Sequence, residues 1–235
     1  MTSPSAVTPV VPVPSAVLQR TQLVMPCLNE EQALPRLLAA VPAEVDVVIA
    51  DNGSTDRSVQ IARAAGATVV TVPQQGYGAA AHGGLLAASA EFVVVMDADG
   101  SVDPSDALAL VAVVAQGEAD LALGRRRPVR RGLIPPQARI GNAAATAVLR
   151  HRHGLGVHDI APVRAARRSN LLDLGVTDRA MGYPVELLDK AGRAGWRVLE
   201  FDVDYFPRAA GSVSKVSGTV RGTARTAWGF GRALW

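Results

Sequence analysis

Asp97 and Asp99 follow a run of apolar β-formers, Phe92 to Met96, and precede Gly100 and Pro104, which turn the chain. Two carboxylates spaced i, i+2 where a buried strand emerges suit a hard divalent cation, Mg2+ or Mn2+, beside a phosphorylated ligand. Taken alone, such a pair also fits a polar strand-end turn. Three further blocks accompany it, and the first two also lie at the carboxyl ends of apolar strands. Met25-Pro26-Cys27-Leu28-Asn29-Glu30-Glu31 turns from strand end to helix, and Asp51-Asn52-Gly53-Ser54-Thr55-Asp56 ends the next strand. Gln75-Gly76-Tyr77-Gly78 opens a small-residue helix. A carboxylate such as Asp51 can accept the N–H of a nucleotide base, and N–H groups exposed at helix starts favour anions. Asp97 and Asp99 would then hold the metal that neutralises a diphosphate.

The elements that must position these blocks alternate. Strands are predicted at Leu23 to Pro26, Val45 to Ala50, Thr68 to Val72 and Phe92 to Met96. Helices are predicted at Glu30 to Ala40, from Asp56 to a stop at Gly66, and from Gly78 to Ala90. Val- and Ile-rich strands separated by helices indicate an α/β fold, a mostly parallel sheet covered on both faces. Ligands bind such sheets outside the carboxyl ends of the strands. Beyond Gly100 the pattern gives a helix near Ala107 to Ala115 and a strand at Ala119 to Leu123. A basic loop, Gly124 to Arg127, and a helix over 137–150 follow, then a short helix over 184–194 and a strand from Arg197 to Tyr205.

Composition limits the class. With 235 residues, 49% hydrophobic and 19% charged, the chain is globular and long enough for one large core. The single Cys27 excludes an intramolecular disulfide framework and fits a reducing, cytoplasmic compartment. A net charge of +3 gives no reason to expect a nucleic-acid partner. No apolar stretch reaches the length of a bilayer span. Residues 1–20, with Pro4, Pro9, Pro12 and Pro14, read as a disordered tail without the basic start of a secretory signal. Residues 21–218 form the main domain, ending in a Gly- and Ser-rich loop. Residues 219–235 read as an amphipathic helix with Arg221, Arg225, Trp228, Arg232 and Trp235 on one face. That stripe suits a membrane–water interface or an anionic partner; the other reading packs Phe230 and Leu234 on the core.

The paired blocks Pro-x-x-Asn-Glu and Asp-Asn-Gly-Ser-Thr-Asp, with Asp-x-Asp, resemble the inverting glycosyltransferases of family 2 over roughly residues 21 to 215. The resemblance implies the GT-A fold, with a Rossmann-like mixed, mostly parallel sheet. It also implies that Pro26, Leu28, Asn29, Glu30, Asp51, Gly76 and Gly78 bind the donor nucleotide. Asp97 and Asp99 would bind metal and donor. Many family members carry a Glu-Asp pair opening a later helix, whose Asp is the base. Here that helix reads Gly182-Tyr183-Pro184-Val185-Glu186, without the pair.

The second half is similar instead to the dolichyl- and polyprenyl-phosphate sugar synthases. Gly124-Arg125-Arg126, Arg139 with Asn142, Asp159 to Arg164, Glu186, and Ser212-Val213-Ser214-Lys215 match their blocks. The missing base has a chemical reason. A sugar hydroxyl must lose its proton during attack and needs a positioned base. A phosphomonoester, with its second pKa about 6, is already anionic near neutrality. It needs charge and aim, which Arg125, Arg139, Arg208 and Lys215 would supply. The expected reaction is metal-dependent transfer of a hexose from a UDP- or GDP-sugar to a polyprenyl phosphate at the cytoplasmic face of the membrane. The alternative is transfer to a hydroxyl of a small molecule, with Asp159 or Glu186 as base. A nucleotidyltransferase would carry a Gly-rich, Lys-bearing turn after the first strand, and no lysine precedes Lys190. Intact Asp51, Asp97 and Asp99 argue against a non-catalytic binding module.

The chain departs from the synthases at two places. Ser101 stands where they often have a metal-binding Gln, and Asp159-Ile160-Ala161-Pro162-Val163-Arg164 lacks their aromatic. Arg126, Arg127, Arg130 and Arg131 read as solvated arginines. His151, His153 and His158 have no cysteine partner and no common zinc spacing. Cys27 is assigned no nucleophilic role. Donor base, sugar and oligomeric state stay open at this point.

Overall fold

A computed structural model describes residues 12–209, and Lys215 and the helix expected at 219–235 lie outside them. One seven-stranded sheet organises the chain. Its strands are β1 (Thr21–Cys27), β2 (Asp46–Asp51), β3 (Thr68–Thr71), β4 (Phe92–Met96), β5 (Leu121–Pro128), β6 (Val163–Arg167) and β7 (Val198–Tyr205). Their order is β3-β2-β1-β4-β6-β5-β7. The first four run parallel, and β6 alone is antiparallel to its neighbours β4 and β5. The mixed, mostly parallel α/β sheet expected from the sequence is therefore present. Its topological switch lies at β1, which has β2 on one side and β4 on the other, and the carboxyl ends of strands at such a switch are where open α/β sheets bind ligands.

Strand residues alternate between two cores, as pleating requires. Leu23, Met25, Phe92, Val94 and Met96 face one layer, built from α1 (Ser15–Leu18), α2 (Leu34–Ala39), α3 (Ser58–Ala64), α5 (Pro104–Ala109) and α6 (Val111–Ala115). Val24, Val93 and Val95 face the other, built from α4 (Tyr77–Ala87), α7 (Pro136–His153), α8 (Arg168–Asp173) and α9 (Tyr183–Arg193). On this second side Gly84 lets α4 approach the sheet: a Cβ there would stand 2.5 Å from Val24.

Three expectations change. The tail assigned to 1–20 is ordered from residue 12, because Val13, Val17 and Leu18 pack on the first core; residues 1–11 lie outside the described range. The basic loop at Gly124–Arg127 is the outer half of β5. It stays extended because β7 pairs with it in parallel, setting Arg125 beside Asp202 and Arg127 beside Asp204. Strand β6 and helix α8 have no counterpart in the sequence reading. Val-Arg-Ala-Ala-Arg lacks the apolar alternation of a half-buried strand, and its Arg164 is buried.

Candidate active site

The first two polar blocks are laced together through side-chain bonds to backbone. Asn29, with φ of 56°, receives Thr55 N–H on Oδ1 at 2.7 Å and donates its own N–H to Ser54 Oγ at 2.9 Å. Glu30 N–H donates to Ser58 Oγ at 2.8 Å, and Glu31 N–H to Asp56 Oδ2 at 3.1 Å. Asp56 also accepts from Ser58 N–H, and so holds the start of α3 as expected. Asp51 ends β2 almost fully buried and accepts from Ser54 and Gly53 N–H. The Asn52 amide donates to Val72 and Gln74 carbonyls and accepts from Gly76 N–H, welding the second block to the third. Pro26 lies near the end of β1, paired with Ala50, and Leu28 directly follows the strand. Cys27 is a buried thiol whose pKa is pushed up to about 11 by burial, so it stays protonated and inert.

Asp97 and Asp99 stand at the end of β4, beside this rim. Asp97 Oδ1 is enclosed with no hydrogen-bond partner. Its pKa is raised to about 6, first by burial and next by the neighbouring Asp99, against the pull of Arg164 and Arg208. Arg164, on β6 opposite Val95, is 2% exposed and donates to Tyr77 Oη at 3.2 Å and to the Ile160 and Ala161 carbonyls. Burial raises the pKa of the Tyr77 hydroxyl, and the neighbouring Asp97 carboxylate raises it further. Asp99 accepts from Ser101 N–H at 3.0 Å, and Arg208 Nε lies 2.5 Å from Asp99 Oδ2 as a close ion pair without hydrogen-bond alignment. The chain after β7 crosses this point, with Phe206 N–H on Ser101 O and Ala209 N–H on Asp99 O.

The donor set fits a hard cation. Asp97 Oδ1 and Ser101 Oγ are both buried polar atoms without partners, next to a second carboxylate. Among the described residues no cluster of three His, Cys, Asp or Glu exists. A cation here would complete its shell from a ligand's oxygens.

Several predicted site residues do other work. Gly76 has φ of 138°, and a Cβ on it would stand 2.2 Å from Arg179 O; one on Gly78 would stand 2.7 Å from Asp178 O. The N–H groups of Gly78 and Ala79 donate to Ala180 and Arg179 carbonyls, so the start of α4 is filled by the chain itself. This corrects the expectation of an open anion site at that helix start. Glu186 accepts from Thr177 N–H and Oγ and from Asp178 N–H and pairs with Lys190, which fastens the 177–178 turn to α9. Asn142 grips the backbone of His158 and Ile160. Asp159 is bound by Arg126 through N–H, Nε and Nη2, with Asp159 side-chain exposure of only 6%. Arg164 is buried, and its charge pulls the Asp97 pKa down, so it is not an exposed ligand. Glu186, Asn142, Asp159 and Arg164 therefore shape the site from behind.

Arg126, expected to be solvated, is the cation of that half-buried pair, and its guanidinium lies over the Tyr205 ring at 5.8 Å. Arg125 pairs with Asp202 at 2.5 Å and Arg127 with Asp204 at 2.8 Å. Arg130, Arg131 and Arg139 are exposed, in agreement with the sequence for the first two. They line a cleft of about 960 Å3 that also takes in Arg125, Leu133, Ile134 and Ile140. Arg126 and Asp159 form its inner end, and Arg126 lies close enough for Asp97 to reinforce its charge. The histidines form no metal site: His153 meets Asp189 at 2.7 Å and His158 meets Glu200 at 3.0 Å. Tyr77, Asn52 and Tyr205 were not recognised from sequence. The Gln-Gly-Tyr-Gly block pointed at Tyr77, but nothing local signals that its hydroxyl meets a strand 87 residues away.

Comparison with known proteins agrees with this geometry. The sequence model of glycosyl transferase family 2 matches residues 22–174, and the chain belongs to that family of glycosyltransferases. An uncharacterised glycosyltransferase of Mycobacterium tuberculosis is 54% identical over 201 residues, covering 86% of this chain and 91% of its own. A dolichyl-phosphate hexose transferase of Haloferax volcanii is 32% identical over 191 residues, covering 80% and 83%. The GT-A fold is shared with glucosyl-3-phosphoglycerate synthase from Mycobacterium tuberculosis, solved with Mn2+, UDP-glucose and phosphoglyceric acid. That structure has a TM-score of 0.74 at 23% identity, over 99% of this chain and 88% of that one.

Proposed function

We propose that this enzyme transfers a hexose from a UDP- or GDP-sugar to a polyprenyl phosphate, with inversion at the anomeric carbon. The observation that carries this reading is the cleft whose inner end, at Arg126, lies within electrostatic reach of Asp97. Its exposed Arg130, Arg131 and Arg139 face an apolar wall of Leu133, Ile134 and Ile140, matching the two halves of an amphipathic phosphate. The 32% identity to a dolichyl-phosphate hexose transferase supports the same class of acceptor.

On this reading Asp51 and the Pro26–Glu30 turn hold the nucleotide. Asp97 and Asp99, with Ser101 beside them, hold Mg2+ or Mn2+, which when bound neutralises charge on the departing nucleoside diphosphate. Arg139 and its neighbours place the acceptor phosphate on the opposite face of the sugar. A phosphate oxygen then forms the new bond to the anomeric carbon as the bond to the diphosphate breaks, and the nucleophile brings no proton to remove. A hydroxyl acceptor is less well served. Asp159 is spent on Arg126 and Glu186 on the 177–178 turn, so both carboxylates nominated as bases are engaged.

Labelled UDP- and GDP-hexoses incubated with Mn2+ and polyprenyl phosphate, then extracted into organic solvent, test this directly. Label is expected in the lipid phase. Label appearing only in water-soluble product, from parallel tubes holding phosphoglyceric acid or a simple sugar, would reject the lipid acceptor.

A further inference from the structure

Residues 121–158 hold eight arginines and no Asp or Glu, leaving 16 of the 24 Lys and Arg against all 21 acidic residues elsewhere. The charge is thus concentrated on one stretch of a nearly neutral chain. Within it, α7 exposes Ile140, Ala143, Ala144 and Ala147, at helical spacing i, i+3, i+4 and i+7. Ile140 is 70% exposed and Val129, shortly before the helix, 47%. Helices of globular proteins normally turn such a stripe inward. Here the inward face is a separate set, Ala145, Thr146 and Leu149. Arg139 and Arg150 lie along one flank of the outer stripe, with Arg130 and Arg131 before it. All four are exposed and form no ion pair among the described residues.

We infer that this outer face of α7 is a docking surface for an anionic lipid bilayer. An apolar stripe flanked by arginines lies in the plane of a membrane interface, with its cations at headgroup level. A second copy of this chain is a poorer occupant. A twofold contact sets the same patch against itself, and no acidic residue between 121 and 158 would offset the facing arginines. Among the described residues no helix is long and apolar enough to cross a membrane, so contact through α7 is peripheral. The stripe is continuous with the cleft through Ile140, which turns the cleft mouth towards the lipid surface.

The inference stands beside the acceptor proposal, and its test contains neither donor nor acceptor. The full-length protein is sedimented with phosphatidylcholine vesicles, with and without phosphatidylglycerol, at low and high salt. Binding is expected only to the anionic vesicles and is lost at high salt. Ala147→Glu and Arg150→Glu change the stripe outside the cleft, and unchanged thermal unfolding verifies their fold. Each is expected to weaken partition by about fivefold or more, the effect of one basic residue near an anionic surface. Failure of the wild type to bind anionic vesicles overturns the inference, as does full binding by the double variant. Light scattering showing a dimer that Ala147→Glu dissociates also overturns it, by assigning the stripe to a second copy.

Discussion

The half of the sheet that carries the donor blocks and the half that carries the cleft solve the same problem differently. Around β1, β2 and β4 the polar side chains are satisfied by backbone N–H groups of adjoining loops: Asn29 by Thr55, Asp51 by Gly53 and Ser54, Asp56 by Ser58. Around β5, β6 and β7 they are satisfied by opposite charges distant in sequence: Arg125 by Asp202 and Arg127 by Asp204 on β7, and Arg126 by Asp159 just before β6. The first arrangement leaves one carboxylate oxygen, Asp97 Oδ1, enclosed and unused. The second leaves free cations only at its outer rim. An unpartnered carboxylate oxygen therefore lies at the seam between the halves, and the charged side chains just named are paired on either side of it.

The comparison is broken most severely at that seam. Asp99→Ala removes a carboxylate from the proposed cation site and leaves Arg208 without its partner. Turnover with saturating Mn2+ should fall by about a thousandfold, in line with the several kcal/mol such a metal supplies. Near-normal turnover would remove the metal from Asp97 and Asp99.

The next largest effect lies behind the cleft. Arg126→Met strands the 6% exposed Asp159 carboxylate, which should cost about 3 kcal/mol in urea unfolding. The double variant with Asp159→Leu should recover most of that loss, because the stranded charge is then gone. If the single variant costs no more than an exposed pair, the second half is not paired in the way described.

This contrast also sets what the sequence makes legible. Asp51-Asn52-Gly53-Ser54-Thr55-Asp56 is a local device, with bonds that reach two or three residues, or to a neighbouring strand end. Its meaning can be read from residue types in a row, and β1 to β4 with the carboxylate pair follow from it. Arg126 gives no such clue. Only the register of β5 against β7, together with the return of Asp159 beside it, decides that this arginine is half-buried while Arg127 is solvated. Gly76 and Gly78 suggest a ligand site because N–H groups at a helix start favour anions. The close approach of the Asp178–Ala180 backbone is equally invisible in the local sequence.

A pH experiment sharpens the claim that Asp97 keeps an unsatisfied carboxylate oxygen. Its pKa of about 6 in the folded protein exceeds the usual carboxylate value of 3.8. The folded state thus keeps a proton that the unfolded chain releases. The favourable contribution is complete below pH of about 4 and is lost as pH rises through about 6, to a total on the order of 3 kcal/mol. Asp97→Asn lacks this titration. With chelator present, the variant should gain stability over wild type between pH 4 and pH 7, and Mn2+ should reverse the order at neutral pH. Parallel stability curves across that range would mean that Asp97 is as well satisfied as the carboxylates around it.

The smallest effect tests the rim of the ladder. Arg127 and Asp204 meet at 2.8 Å in register, but their side chains are 66% and 39% exposed. Water screens such a pair, and holding two long side chains together costs entropy, so it contributes between zero and about 1 kcal/mol. Arg127→Ala should therefore barely move the urea midpoint, although it sits one residue from Arg126 and shares the same strand. The inequality between these neighbours follows from pleating, which aims successive side chains at different surroundings. Equal costs for Arg126→Met and Arg127→Ala would show that the charges of β5 act as one diffuse patch rather than as an inner pair and an outer one.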